Sequence, residues 1–126
     1  MPTAYKIVSE DYYSSNVAIY GLSRKSQWAL RYEIGKTTEA LLGSAGIMVY
    51  KSLRVAKHAA TVYLFLYHHV KLLEVKTNGA GKKLQHMTPP SKLRGTSVKK
   101  AAKNATQNCP SDTWVYPSVT VIREIK

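Results

Sequence analysis

The chain predicts a single α+β domain over residues 1–126. The expected form is a small, mostly antiparallel sheet of about five strands with one main helix packed on one face and a long basic insertion at 78–113. Three stretches carry that reading. The first is Ile47 to Lys76, where an apolar strand, an amphipathic helix and a second strand follow one another. The second is Trp28 to Gly35, where Trp28, Leu30, Tyr32 and Ile34 alternate with Ala29, Arg31 and Glu33. The third is the closing segment, where Val119, Val121 and Ile125 alternate with Thr120, Ile122 and Glu124.

In chain order, Ala4 to Val8 reads as the opening strand, with Tyr5 and Ile7 on one face and Ser9-Glu10-Asp11 ending it. Val17 to Tyr20 is a second short candidate, closed by Gly21. Trp28 to Gly35 predicts a strand with one wet face, and Thr37 to Leu42 a helical turn or a loop, broken by Gly43 and Gly46. Ile47 to Tyr50 is the strand leading into the helix, and Ser52 is placed to cap it ahead of Leu53. Leu53, Ala56, Ala60, Tyr63, Leu64 and Tyr67 then recur at three-and-four spacing, so they define one buried stripe. Arg54, Lys57, His58 and Thr61 fall on the opposite face. His69 to Lys76 reads as the strand that follows.

Past Lys76 the composition changes. Thr77-Asn78-Gly79-Ala80-Gly81 is turn chemistry, and Pro89-Pro90 excludes regular helix or strand at that point. Ser97 to Ala105 predicts a short helix with a cationic flank, and Gln107 to Asp112 a loop. Trp114 to Tyr116 and Val119 to Ile125 supply one bent strand or two, split at Pro117. A connection as long as 78–113 is unusual in a compact domain unless it is functional or disordered.

Charge is the most informative bulk property. Nineteen Lys and Arg against seven Asp and Glu give a formal charge of +12. Residues 78–111 hold Lys82, Lys83, Lys92, Arg94, Lys99, Lys100 and Lys103 and no acidic side chain. Positive charge concentrated in one segment attracts polyanions by long-range steering and counterion release. The competing reading is a solvated basic loop with no partner. The longest apolar run, around Thr61–Tyr67, is far short of the roughly 20 residues a membrane span needs. No basic-then-apolar leader follows Met1, and the single Cys109 has no internal disulfide partner. The expectation is a soluble cytoplasmic protein with no membrane partner.

Tyr5-Lys6-Ile7-Val8, the Arg31-Tyr32-Glu33-Ile34-Gly35 segment, the Val49-Tyr50-Lys51-Ser52-Leu53 junction with Ala56, Leu73-Glu74-Val75-Lys76 and the closing Val121-Ile122-Arg123-Glu124-Ile125-Lys126 form a pattern. It resembles small uncharacterised phage and prophage proteins that open with a Tyr-Lys-Val-Val strand. The resemblance implies a viral setting and no catalytic residues; an intracellular or virion-associated location is expected. The 78–113 insertion is outside the pattern.

Motifs for chemistry are sparse. Asn78-Gly79-Ala80-Gly81-Lys82-Lys83 follows a strand, but a phosphate-binding P-loop requires glycine where Lys76 stands and Ser or Thr where Lys83 stands. His68 and His69 are adjacent and point to opposite faces of a strand, and no Cys pair or i,i+4 His pair exists for zinc. No metal and no cofactor is expected. A small metal-independent ribonuclease or toxin would use one histidine, with His69 the candidate, as general acid or base and a cation to stabilise developing charge. Cys109 has no histidine near it in sequence to act as base.

Nine tyrosines against one phenylalanine favour surfaces that are part apolar and part wet. Tyr12 and Tyr13 are the candidates for stacking on bases, while most other aromatics are read as core. The function expected is therefore a non-enzymatic basic binding protein. It would contact nucleic-acid backbone, or another acidic macromolecule, through Lys82, Lys83, Lys92, Arg94, Lys99, Lys100 and Lys103. The alternatives are a virion-structural or protein–protein interaction subunit, in a homo- or hetero-oligomer, and the small ribonuclease. No helix-turn-helix, zinc-finger or RNP pattern supports sequence-specific readout.

Overall fold

Strand β1 (Thr3–Ser9) lies at the centre of a seven-stranded sheet and is covered on both faces. The computed structural model describes residues 3–14, 25, 28–41, 44, 46–67, 70–87, 107–108 and 112–125. The other elements in chain order are β2 (Thr37–Glu39), β3 (Ile47–Tyr50), helix α1 (Leu53–Tyr67), β4 (Val70–Asn78) and β5 (Lys82–Lys83). They are followed by β6 (His86–Met87), β7 (Gln107–Asn108), β8 (Thr113–Tyr116) and β9 (Ser118–Ile125). The sheet order is β2-β9-β4-β1-β3-β8-β5, with neighbouring strands antiparallel, and β6 pairs with β7 as a separate ribbon.

The α+β class and a helix packed on a mostly antiparallel sheet agree with the sequence reading; α1 is the one helix among the described residues. The strand number does not: the main sheet has seven strands, where about five were expected. Its two edges, β2 and β5, are only three and two residues long. Runs that short carry no readable alternation.

The connection between β8 and β9 determines the shape. Pro117 alone joins them, yet β4, β1 and β3 lie between them in the sheet order. The sheet therefore curls back on itself. The pairs Asn78↔Ser118 and Lys82↔Val115 belong to one long antiparallel ribbon, β4-β5 against β8-β9, bent where Gly79 to Gly81 face Tyr116 and Pro117. Bends of this kind let one strand serve both sides of a folded sheet. Proline has no N–H to offer a ladder, so Pro117 suits that break.

Curling produces two apolar layers. Ala4, Val8, Leu73, Val75, Val119 and Val121 line the inside together with Tyr32 and Tyr116. Ile7, Val70 and Leu72 face outward beneath Ala56 and Ala60 of α1, with Tyr5, Tyr50 and Leu53 packed around them. The two alanines are small enough to let the helix backbone approach the sheet. At its start, the Val55 N–H donates to Ser52 Oγ at 3.3 Å and the Ala56 N–H to the Ser52 carbonyl at 3.0 Å, so Ser52 is the cap the sequence indicates. Arg54, Lys57, His58 and Thr61 are exposed, as the spacing predicts.

Other expectations are corrected. Trp28 to Gly35 is not a strand: its ladder contacts are the isolated bridges Tyr13↔Arg31 and Ile34↔Val121. Its backbone is shared between partners, with the Tyr32 N–H donating to the Tyr12 carbonyl at 2.7 Å and the Gly35 N–H to the Val121 carbonyl at 2.8 Å. Tyr32 is buried but Ile34 is 54% exposed, so the alternation does not mark one continuous face. Thr37 to Glu39 is strand β2, paired to β9, where a helical turn or loop was expected. The strand after the helix is β4, which runs on to Asn78. The 78–113 insertion, expected as a loop, carries β5, β6 and β7 in its described parts. The candidate strand Val17 to Tyr20, the candidate helix Ser97 to Ala105, His68, His69 and Cys109 lie outside the described residues, as do the side chains of Tyr63, Leu64 and Tyr67. Among the described residues, no helix is long and apolar enough to cross a membrane.

Candidate nucleic-acid interface

No acidic residue occurs between Glu39 and Glu74, or between Glu74 and Asp112. Those two acid-free stretches supply β3, α1 and β5, and they become neighbours because β3 pairs with β8 and β8 with β5. At the end of this three-strand group, Tyr50 stands opposite Thr113 and Trp114 opposite Lys83. Lys51 follows directly, with its Nζ 3.4 Å from the Trp114 ring centroid, a cation–π contact that fixes the ammonium. Lys83 lies across from Trp114 and shares its face, while Lys82 projects to the other side. Lys51, Lys82 and Lys83 are exposed, as are Arg54 and Lys57 on the first turns of α1.

Cations at a helix N-terminus are opposed by the helix dipole, by about 0.3 to 1 kcal/mol each at an exposed site. The first turn of α1 holds no acidic residue to offset them. The one carboxylate in this corner is Asp112, whose Oδ2 accepts the Ser52 N–H at 2.6 Å. It therefore satisfies a backbone donor beside the helix start and closes the return of the basic insertion, in a left-handed backbone conformation (φ 66°). Asp112→Ala should destabilise the domain by about 1 to 2 kcal/mol, read by urea unfolding, because it orphans that donor and keeps the strained φ. A loss below a few tenths would show that the tether contributes nothing.

Elsewhere among the described residues, several cations are paired with carboxylates. Glu33 accepts Lys36 at 2.9 Å and Arg31 at 3.4 Å, and the Lys36 hydrogen bond holds its carboxyl below the ordinary value. Arg123 Nε donates to Glu74 at 2.8 Å, which raises the arginine pKa further. Tyr12 donates its hydroxyl to Glu124 at 2.8 Å, and Lys71 Nζ sits 4.6 Å from the Tyr12 ring centroid and 3.9 Å from Glu124. Tyr12 also has a positive φ of 67°. It closes the turn after β1, where its N–H donates to the Ser9 carbonyl at 3.0 Å and Ser9 Oγ donates to Asp11 at 2.6 Å. Tyr13 has the Arg31 guanidinium 5.6 Å from its ring centroid. Both tyrosines named as stacking candidates thus lie beside these ion pairs, each with a cation against its ring.

Lys6 is the residue sequence reasoning missed. It lies on the inner face between Ala4 and Val8, only 8% exposed, with Nζ 5.5 Å from the Tyr32 ring centroid. Burial pulls its pKa down to about 8 from the ordinary 10.5. Burial also pushes the Tyr32 phenol well above its usual range.

No protein-family model matches the chain, nor does any curated protein or solved structure. Of the sequence-predicted cations, the structure places Lys82 and Lys83 on β5, with Lys83 across from Trp114, the ring that Lys51 covers; Arg54 and Lys57 follow Lys51 on the exposed side of α1. Lys92, Arg94, Lys99, Lys100 and Lys103 fall between β6 and β7, outside the described residues. Among the described residues, no group of three or more His, Cys, Asp or Glu could hold a metal. His58 and His86 are exposed.

Proposed function

We propose that the protein is a non-enzymatic basic module that binds nucleic-acid backbone. Its contacts would be Lys51, Arg54, Lys57, Lys82 and Lys83, joined by the cations of the 88–111 segment. The observation that carries this reading is the segregation of charge. All of the acidic residues except Asp112 lie elsewhere in the chain, and Asp112 is committed to the Ser52 N–H. Three of those acids hold cations of their own at Lys36, Lys71 and Arg123. The β3-β8-β5 end and the start of α1 keep their positive charge unmatched, against the helix dipole. An anionic partner would remove that cost. The phage-like strand pattern makes a viral setting part of the same proposal.

Lysines on an edge strand also discourage pairing with another chain, and that is the competing explanation for Lys82 and Lys83. The two are separable. A variant with Lys51, Lys82 and Lys83 changed to Gln is titrated with a mixed-sequence DNA and RNA panel at several salt concentrations. For a duplex, each lost phosphate contact should lower the slope of log K against log[salt] by about 0.9. The variant's slope should therefore be shallower by roughly 2 to 3. An unchanged slope, with the variant self-associating, would favour edge protection. Cleaved substrate would favour the ribonuclease alternative, and an absence of binding at any salt would favour a protein-docking subunit.

A further inference from the structure

Resting on that reading, we infer that the nucleic acid is double-stranded and is held by its phosphates alone, with no base inserted or stacked. Proteins that prefer single strands combine cations with aromatic platforms, and each stacked base contributes about 1 to 3 kcal/mol. Among the described residues, the basic side offers no such platform. Residues 78–113 contain no Phe, Tyr or Trp at all. Trp114, which follows them, has Lys51 Nζ 3.4 Å from its ring centroid and is packed against the inner core. Tyr5 and Tyr50 are engaged with the layer under α1. Tyr12 and Tyr13 already hold Lys71 and Arg31 against their rings.

A surface of cations without platforms gains affinity only from phosphate density. Duplex DNA presents one charge per ~1.7 Å of axis, and its counterion release per contact is steeper than a single strand's, about 0.9 against 0.7. Lys82 and Lys83 project from opposite faces of β5, and Arg54 and Lys57 add charge along α1. Such an array follows a backbone and reads no base edge, so sequence should not matter.

The test is fluorescence anisotropy on the full chain with four probes: a labelled mixed-sequence DNA duplex, a scrambled duplex of the same length, an RNA duplex, and the separated strands. The expected result is roughly tenfold or greater preference for each duplex over its strands, equal affinity for the two DNA duplexes, and a steeper salt slope for duplexes. Arg54→Gln with Lys57→Gln, two exposed positions away from the core, should weaken duplex binding several-fold without changing the far-UV spectrum. A single strand bound as tightly as duplex, or tryptophan fluorescence quenched by unlabelled strand, would overturn the inference and leave the backbone-binding reading intact. No binding to any probe would overturn both.

Discussion

Gly79→Ala should destabilise the domain by about 3 kcal/mol, because two separate penalties meet at that position. Its φ of +80° is left-handed, which costs an L-residue about 1 to 2 kcal/mol. A Cβ there would also stand 2.5 Å from Pro117 Cγ, part of a rigid ring, and overpacking of this kind adds about 1 to 3 kcal/mol. Gly81 is the companion case. A Cβ would collide with the Tyr116 ring, and Tyr116 is buried, so the ring has little room to move aside. Urea unfolding of Gly79→Ala, Gly81→Ala and Gly81→Ala combined with Tyr116→Leu would check both. The Gly81 penalty should fall by more than half in the Tyr116→Leu background, since the clash is with that ring. A Gly79→Ala loss under about 1 kcal/mol would mean that the corner relaxes freely and is not the hinge on which the sheet closes.

That corner also explains what a linear reading could and could not recover. The helix was legible because one wet face and one apolar stripe leave a 3.6-residue period, and Ser52 precedes it with the right side chain. The β8-β9 division was legible because Pro117 interrupts two apolar runs. The inner position of Lys6 was not. Alternation assigns β1 one wet face, yet Ala4, Lys6 and Val8 line the inside of the curled sheet while Ile7 lies under the helix. A strand buried on both faces carries no alternation to read. The reverse error occurred at Trp28 to Gly35, where a strand-like pattern belongs to a segment whose backbone bonds are divided between Tyr12 and Val121.

The candidate interface was half legible for the same reason. The lysine-rich run is visible in composition, but its union with Lys51, Arg54 and Lys57 depends on β3 pairing with β8 and β8 with β5. No local period encodes those pairings. Nor does anything near Ser52 announce that a carboxylate 60 residues away will accept its N–H. The bend at Gly79 to Gly81 thus shapes the candidate interface as well as the core: by folding the ribbon it sets β5, with its two lysines, outside β8.

Lys6→Met should stabilise the protein by about 2 to 3 kcal/mol near neutral pH, and the gain should shrink as pH rises. The side chain is buried and no carboxylate is paired with it among the described residues, so its ammonium is desolvated with only the Tyr32 ring as recompense. A fall from 10.5 to about 8 corresponds to about 3 kcal/mol of disfavour for the charged form. Cation–π attraction returns part of it, and methionine fills the space of the alkyl stem without the charge. Between the folded pKa of about 8 and the unfolded 10.5, the unfolded chain binds more protons than the native one, so wild-type stability rises with pH across that window. Tyr32 acts in the opposite sense only above about pH 10, where the unfolded phenol ionises and the buried one does not, so stability is then lost. Urea unfolding at several pH values should therefore show a variant-minus-wild-type gap falling from about 3 kcal/mol near pH 7 to about 1 near pH 10. A gap that does not change with pH would mean that Lys6 is not charged at a cost inside the fold. A destabilised variant would mean that its ammonium contributes a contact stronger than the desolvation it suffers.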